Sequence, residues 1–568
     1  MIMQADLSLL PSPGRTDISE NALFGSAKTL EGYLSYADRI QLSLKRAKAI
    51  IDAHALTVHD IETLTRAFWD VHTDHAMAMD TGAGTLVAIQ LNLVAGTLVK
   101  YLKDSPYVQS LMDDVLSFNV LAHYCLTEVG HGLDAINIET TGTLLPDGGF
   151  ELHTPHSGAA KIMPPTSPCG IPAIGIVFAK LIVKGQDYGI RPFLLPLNDG
   201  KAMMPGITAK LLPPREGPPP LNHSITSFNR VKLPRHALLG ALGSHVEDKI
   251  AIRANHINTI WRTAVGALAL AGSCITTMDR SAYIAGRYSQ RRTVGLPDKS
   301  RVPILTFRTQ HKPILTTLAQ AFVAKEFFKV AIVKFADEAT DLRVRQAWST
   351  IVKATLVEHS KTATLLLAER CGAQGLFAYN EMCSMHSSLL GLSTAEGDVL
   401  GICIRLVSEL LQERYHVPLS THPTDLLALH EQGLLAENRA ILAQISGHRS
   451  ADFNNLVLPK SEHIVRAIGH RMAYDAAVDA GLDPKITELY LATAVKFDSA
   501  WYCENADLPR HVQDARENEA ICAALPCLDE WLVRTGVECY SQVPILSEKN
   551  WATFVEGLEE FGSDLGEC

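Results

Sequence analysis

The chain has 568 residues, 47% hydrophobic and 20% charged, with a formal net charge of −10. That length exceeds what one hydrophobic core supports, so several domains are expected, and the balance is that of a folded globular protein. The mild acidity and the lack of a basic aromatic stripe argue against a dedicated nucleic-acid binder. Eleven scattered cysteines without a CxxC pair suit a reducing compartment better than a disulfide framework.

Four regions follow in chain order. Residues 1–115 read as an N-terminal helical domain after a loose leader. The leader, MIMQADLSLLPSPGRTDISE, lacks the basic and apolar blocks of a signal peptide. SYADRIQLSLKRAKAIIDAHAL and TVHDIETLTRAFWDVHTDHAMAM carry apolar residues at helical spacing. TLVAIQLNLVAGTLV, and TAVGALALAGSCI later on, read as buried helices too short to span a bilayer, so no membrane span is expected.

Residues 116–245 change character and predict a small β domain. GTLLPDGGFELHT is strand, turn and strand. AIGIVFAKLIV and YGIRPFLLPL are β-rich runs, and LLPPREGPPPLNHS is a proline-rich loop. Residues 246–415 return to long helical segments, and residues 416–568 form a further helical domain in which Gly447 and Gly481 look like helix stops. The predicted fold class is multidomain α+β: helical, β-barrel, helical bundle, C-terminal helical. The strands are not interleaved with helices, which argues against a doubly wound sheet.

Two short stretches carry chemistry. TEVGHG (127–132) lies where helix gives way to strand; Gly130 and Gly132 allow a tight turn, or Thr127 and nearby amides face a polar cofactor. STAEGDV (393–399) separates two apolar helical stretches. Ser393 or Thr394 could cap a helix with Glu396 and Asp398 in its first turn; alternatively Glu396 is a carboxylate at a buried site. His153 with His156, and His416 with His422, have no third ligand nearby in sequence, so no metal is expected. Cys371 and Cys383 read as packed thiols, and EGLEEFGSDLGE as a solvated acidic face or tail.

The ordered set of motifs resembles the acyl-CoA oxidases of the acyl-CoA dehydrogenase superfamily. TEVGHG is similar to their TEMGHG signature, FNRVKLPRHALLG to the exit from their β domain, and RYSQRRTVG and FRTQHKPILTTLAQAFV to two of their helices. CGAQGL resembles their CGGHGY, and STAEGDV their CTFEGDN. The resemblance covers roughly residues 70–415. It implies FAD as cofactor, an acyl thioester as substrate, O2 as electron acceptor with H2O2 as product, and a homodimer. It implies that Glu396 is the catalytic base, abstracting the thioester α-proton while a β-hydrogen leaves as hydride. Thr127, Gly132, Arg292, Gln310, Gly372 and Gly375 inherit cofactor-binding roles, with Arg292 reaching the FAD diphosphate of the neighbouring subunit.

Several positions depart from the family. KWWPGG is KIMPPTS here, so Ile162 and Met163 replace tryptophans that wall in the flavin. Pro165 replaces a glycine whose backbone contacts it, and proline has no N–H to offer. Ala395 replaces the Phe before the base and Val399 the Asn after EGD. Three readings follow: an oxidase with a reshaped pocket, a flavoprotein of this fold with another acceptor or a non-CoA substrate, and a non-catalytic partner subunit. The expected compartment is peroxisomal or cytoplasmic, since the terminal DLGEC is not an SKL-type address.

Overall fold

The computed structural model describes residues 23–24, 31–246 and 248–562. The leader stretch 1–20 and the terminal DLGEC lie outside the described residues. The described part of the acidic C-terminal run, 556–562, is exposed throughout.

Near the N-terminus, α1 (Tyr36–His54) packs on α2 (Thr81–Tyr101). Asp80 organises their junction. Its carboxylate caps α2 by accepting from Ala83 N at 2.9 Å and takes the Arg46 guanidinium of α1 at 3.1 Å. Helix α2 corrects one expectation. At 21 residues it is long and apolar enough to cross a bilayer, and 89% of that apolar window is buried inside the protein. The short apolar run was part of a longer helix, and its burial is what a core helix requires. Residues Ala88–Ala95 of α2 wind as π-helix, a geometry that often marks functional sites. Helix α3 (Pro106–Leu116) then leads into the strands.

Among the described residues, all but two strands fall between residues 121 and 233. They are β1 (Leu121–Cys125), β2 (Thr141–Leu144), β3 (Phe150–His153), β4 (Lys161–Ile162), β5 (Ala173–Val183), β6 (Gln186–Asn198), β7 (Ile207–Leu211), β8 (Ser224–Phe228) and β9 (Val231–Leu233). Six form one sheet in the order β1-β5-β2-β3-β9, with β6 on the other edge of β5; β4, β8 and β7 form a second. The predicted turn between β2 and β3 closes with Leu145 N donating to Gly149 O at 2.8 Å. Strand β5 explains its unbroken apolar sequence. Ile174, Ile176 and Phe178 enter the large core shared with the helices, while Val177, Ala179 and Leu181 enter a separate core inside the β unit. With side chains alternating between faces, a strand buried on both sides must be apolar throughout.

The bundle consists of α4 (Arg262–Arg291), α5 (Arg308–Ala336) and α6 (Leu342–Arg370), followed by α7 (Met382–Thr394) and α8 (Val399–Leu411). A hairpin of β10 (Thr293–Gly295) and β11 (Arg301–Pro303) interrupts the stretch expected to be helical. The family-like helix RYSQRRTVG therefore stops at Arg291, and Arg292 is its C-cap. The buried Arg280 of α4 pairs with Glu381 at the start of α7 and donates to Tyr540 O at 2.9 Å, so the bundle and the C-terminal segment are tied at one point. The C-terminal helices include α9 (Leu426–Gln444), α10 (Ser461–Asp479), α11 (Pro484–Val495) and α12 (Ser499–Asn505). Helix α10 packs on α5, α6, α8 and α9. Gly481 adopts a φ of +69° just past α10, as a helix stop should; Gly447 lies two residues beyond the cap of α9, with a φ of +122°.

Gly142 on β2 has no room for a side chain, because a Cβ there would overlap the buried Phe193 ring. Gly142→Ala is expected to destabilise the protein by about 1–3 kcal/mol, read as a lower urea midpoint; an unchanged midpoint would show that Phe193 moves freely.

Candidate active site

The connection between α7 and α8 is where the sequence left two readings open, and the structure decides between them. Ser393 and Thr394 are the last residues of α7, so neither caps α8. The cap is Asp398, whose carboxylate accepts from Gly401 N at 3.1 Å. Glu396 lies outside both helices in left-handed backbone, φ +54°, followed by Gly397 at φ +100°. That conformation is unfavourable for a residue with a Cβ, and it turns the carboxylate inward. There it occupies the space that a side chain at Gly266 of α4 would need.

Three helices meet at this carboxylate. Asn92, in the π-helical stretch of α2, donates from Nδ2 to Glu396 Oε2 at 3.1 Å and to Arg262 O at 3.2 Å. Lys353 of α6 is completely buried. Its ammonium donates to Ala395 O at 2.5 Å and Gly397 O at 2.6 Å, the carbonyls on either side of Glu396. Lys353 thus clasps the backbone of the turn. Burial pushes the Glu396 carboxyl well above the ordinary carboxylate range; the nearby Lys353 charge and the Asn92 hydrogen bond offset only part of this. Burial likewise pulls the Lys353 ammonium down. Tyr124 of β1 has a buried hydroxyl with no partner among the described residues; burial and the Glu396 charge keep it protonated. Asn92 Oδ1 is also buried with no partner among the described residues.

The TEVGHG turn is built on a residue that sequence reasoning passed over. Glu128 is buried and pairs with the equally buried Lys161 of β4 at 2.9 Å. Its carboxylate also accepts from Glu139 N at 2.6 Å and Thr140 N at 2.9 Å. Burial works to raise the Glu128 carboxyl, but Lys161 and those two amides hold it below the usual range. This network fixes Thr127 beside β4, where Thr127 O accepts from Ile162 N at 3.0 Å. Thr127 is half-buried and Gly132 exposed, with nothing within 4 Å of a Cβ built there. The nearby Val129, Leu133 and Met163 are exposed apolar residues, and Leu133 packs on Gly401 of α8. Lys161 stands inside the KIMPP stretch and Glu128 inside TEVGHG, so the signal was a charged residue of each sign in two otherwise small or apolar motifs.

The other cofactor candidates gather elsewhere. Arg292 is exposed at the end of α4, and Gln310 near the start of α5 accepts from Ser289 Oγ at 3.3 Å. Gly372 follows the C-cap of α6 with φ +60°. Gly375 is buried, and a Cβ there would overlap Ala368 O. Both glycines therefore have a reason within the chain. Arg292 lies about 26 residues along α4 from Gly266, or roughly 39 Å at 1.5 Å per residue. The structure thus brings Glu396 together with Asn92, Lys353 and Gly266, and separates it from Arg292. Of the histidines, His156 pairs with Glu139 at 3.1 Å and His422 with Asp479 at 2.9 Å. Cys371 is buried, and Cys383 donates to Leu376 O.

Comparison with known proteins agrees with this architecture. Residues 266–411 match the acyl-CoA oxidase C-alpha1 domain. Peroxisomal acyl-coenzyme A oxidase 1 of Dictyostelium discoideum is 24% identical over 335 residues, covering 54% of this chain and 47% of that protein; the match spans about half the length of that relative. Acyl-CoA oxidase 1 of Yarrowia lipolytica superposes with a TM-score of 0.81 at 16% identity, over 95% of this chain and 88% of that one. Acyl-CoA oxidase-1 of Caenorhabditis elegans, solved with FAD and ATP, gives a TM-score of 0.69 at 15% identity over 96% of each chain. Residues 266–411 thus match an acyl-CoA oxidase domain, and the fold of the chain is similar to that of acyl-CoA oxidases distant from it in sequence.

Removing one partner of the buried Glu128–Lys161 pair leaves an uncompensated charge. Lys161→Met is expected to cost about 3–5 kcal/mol of stability, and Glu128→Gln combined with Lys161→Met clearly less than the two single costs added. Chemical denaturation of the three variants checks this; additive losses would show that the two side chains are not coupled.

Proposed function

We propose that this protein is an FAD-dependent oxidase that desaturates an acyl thioester, an acyl-CoA, between its α and β carbons and passes the electrons to O2, forming H2O2. The observation that carries this is the buried, clasped carboxylate of Glu396. A carboxylate in water is too weak a base for a thioester α-proton. Burial raises its basicity, and a fixed backbone holds it ready. No acceptor among the described residues takes the backbone N–H of Glu396, so that N–H is free to donate to the thioester carbonyl as negative charge develops there. The Tyr124 hydroxyl is a second donor within electrostatic reach.

The residues fit a flavin. The exposed apolar side chains of Val129, Leu133 and Met163, beside Thr127 and the open backbone at Gly132, suit a planar ring system with polar edges. Pro165 is buried and offers no N–H, so that contact must come from elsewhere. A bound FAD supplies the acceptor for the β-hydrogen, as hydride, and the site's reactivity toward O2. Thr127 and Gly132 would hold it on one chain. Arg292, Gln310, Gly372 and Gly375 lie too far along the bundle to serve the same chain's Glu396, so they would serve the site of a second copy. This supports a homodimer with shared sites. The relative from Dictyostelium is named as peroxisomal, which supports a peroxisomal or cytoplasmic setting. A non-catalytic partner role would leave the Lys353 clasp on Glu396 without a purpose.

The purified protein is expected to be yellow with stoichiometric FAD, and to form peroxide under air with a suitable acyl-CoA. A colourless protein that takes up no added FAD would remove the reading. Glu396→Gln is expected to keep FAD and lose on the order of 10²–10⁴-fold in kcat.

The pH dependence of kcat/KM should rise with pH and level off only well above the ordinary carboxylate range, because Glu396 must be ionised to act. The Lys353 charge lowers the Glu396 pKa, so Lys353→Met should move that limb to still higher pH and cut kcat by on the order of 10²-fold through misplacement of the base, with FAD content unchanged. An unshifted limb would show that Lys353 does not act on Glu396.

A further inference from the structure

Among the C-terminal helices, three elements converge on one carboxylate oxygen. His430 of α9 and His463 of α10 both point Nε2 at Asp498 Oδ2, at 3.0 and 2.8 Å. Asp498 precedes α12 and caps it with its other oxygen, which accepts from Trp501 N. The two imidazoles lie 5.9 Å apart with planes at 81°. Among the described residues this is the one trio of His, Cys, Asp or Glu whose ligand atoms all lie within 4.8 Å of one another.

We propose that His430, His463 and Asp498 form a binding site for a zinc-class divalent transition metal, cross-linking α9, α10 and the start of α12. Two imidazoles and one carboxylate are the ligand chemistry of zinc and its neighbours, whereas calcium and magnesium take oxygen cages. Three protein ligands leave a fourth position for water, and the site has an entry path. The His430 side chain is 3% exposed, but those of Asp498 and His463 are 19% and 32% exposed.

The surroundings preset the ligands. His430 is hemmed in by Trp501 and Tyr502, with ring centres at 4.9 and 5.0 Å, and His463 stacks on Phe497 at 5.3 Å. Only one oxygen of Asp498 is free for a metal, since the other is held by the helix cap. Arg466, over the Phe497 ring at 4.7 Å, is itself paired with Glu358. Tetrahedral ligands 2.0–2.1 Å from zinc stand about 3.3 Å from one another. The observed 2.8 and 3.0 Å must therefore open by a few tenths of an ångström, which rotation of the partly exposed His463 allows. The ordinary alternative is a hydrogen-bonded His-Asp-His cluster that binds nothing.

The test uses the full-length protein, stripped with EDTA and titrated with ZnCl2 by calorimetry, with bound zinc counted after desalting. The expected result is one zinc per chain at micromolar affinity or tighter, with a zinc-dependent rise in the unfolding temperature. His463→Gln and Asp498→Asn should each weaken binding by at least about tenfold and abolish that rise. His422→Gln, which removes a His-Asp pair lacking a third ligand, should leave both unchanged. A parent protein that retains no zinc, or His463→Gln and Asp498→Asn variants that bind as the parent does, would overturn the proposal and leave the cluster structural.

Discussion

The contact on which the site depends is a lysine ammonium holding two backbone carbonyls. Lys353 lies wholly within the bundle and donates to the carbonyls of Ala395 and Gly397. An isolated ammonium in that position would be costly to bury, and two carbonyls plus the nearby Glu396 charge compensate it. In return the clasp fixes the turn that keeps Glu396 in left-handed backbone. Without a fixed turn the carboxylate could swing out to water, where it would be an ordinary weak acid. Placement and basicity of Glu396 therefore share one cause: its inward position where α2, α4 and α6 meet.

The same rigidity divides the candidate residues between two ends of the bundle. A thirty-residue α4 places Gly266 against Glu396 and Arg292 roughly 39 Å away. Residues that the family resemblance assigns to one cofactor are thus split between a turn near β4 and a helix end remote from it. A long helix cannot fold back to join them within one chain. The β unit serves as the other wall. Its strand β5 belongs to two cores at once, which couples the β unit to the helices without a flexible linker.

Much of this was legible in the sequence. The strand-turn-strand of residues 141–153 and the run 173–183 announced themselves by turn residues and by β-branched and apolar content. Glu396 stood out because a charged residue between two core helices needs a reason. What the sequence left open was decided at a distance. Whether Ser393 or Asp398 caps α8 depends on where α7 stops, and propensity alone cannot set that boundary. Lys353 sits in a helix whose pattern gives no sign of a buried lysine, and its partners are more than forty residues away. Asn92 becomes visible only once the π-helical winding of α2 turns it inward. The His430–His463–Asp498 trio draws on three elements far apart in the sequence, which no local spacing reveals.

The central claim is that Glu396 removes the α-proton of an acyl thioester, and this can be tested apart from any later electron transfer. The measurement is deuterium incorporation at the α carbon of an acyl-CoA incubated anaerobically with the protein in D2O, followed by mass spectrometry. The account predicts steady wash-in of deuterium with the parent protein and none above background with Glu396→Gln. Equal incorporation by both proteins would contradict it and move the base to another residue.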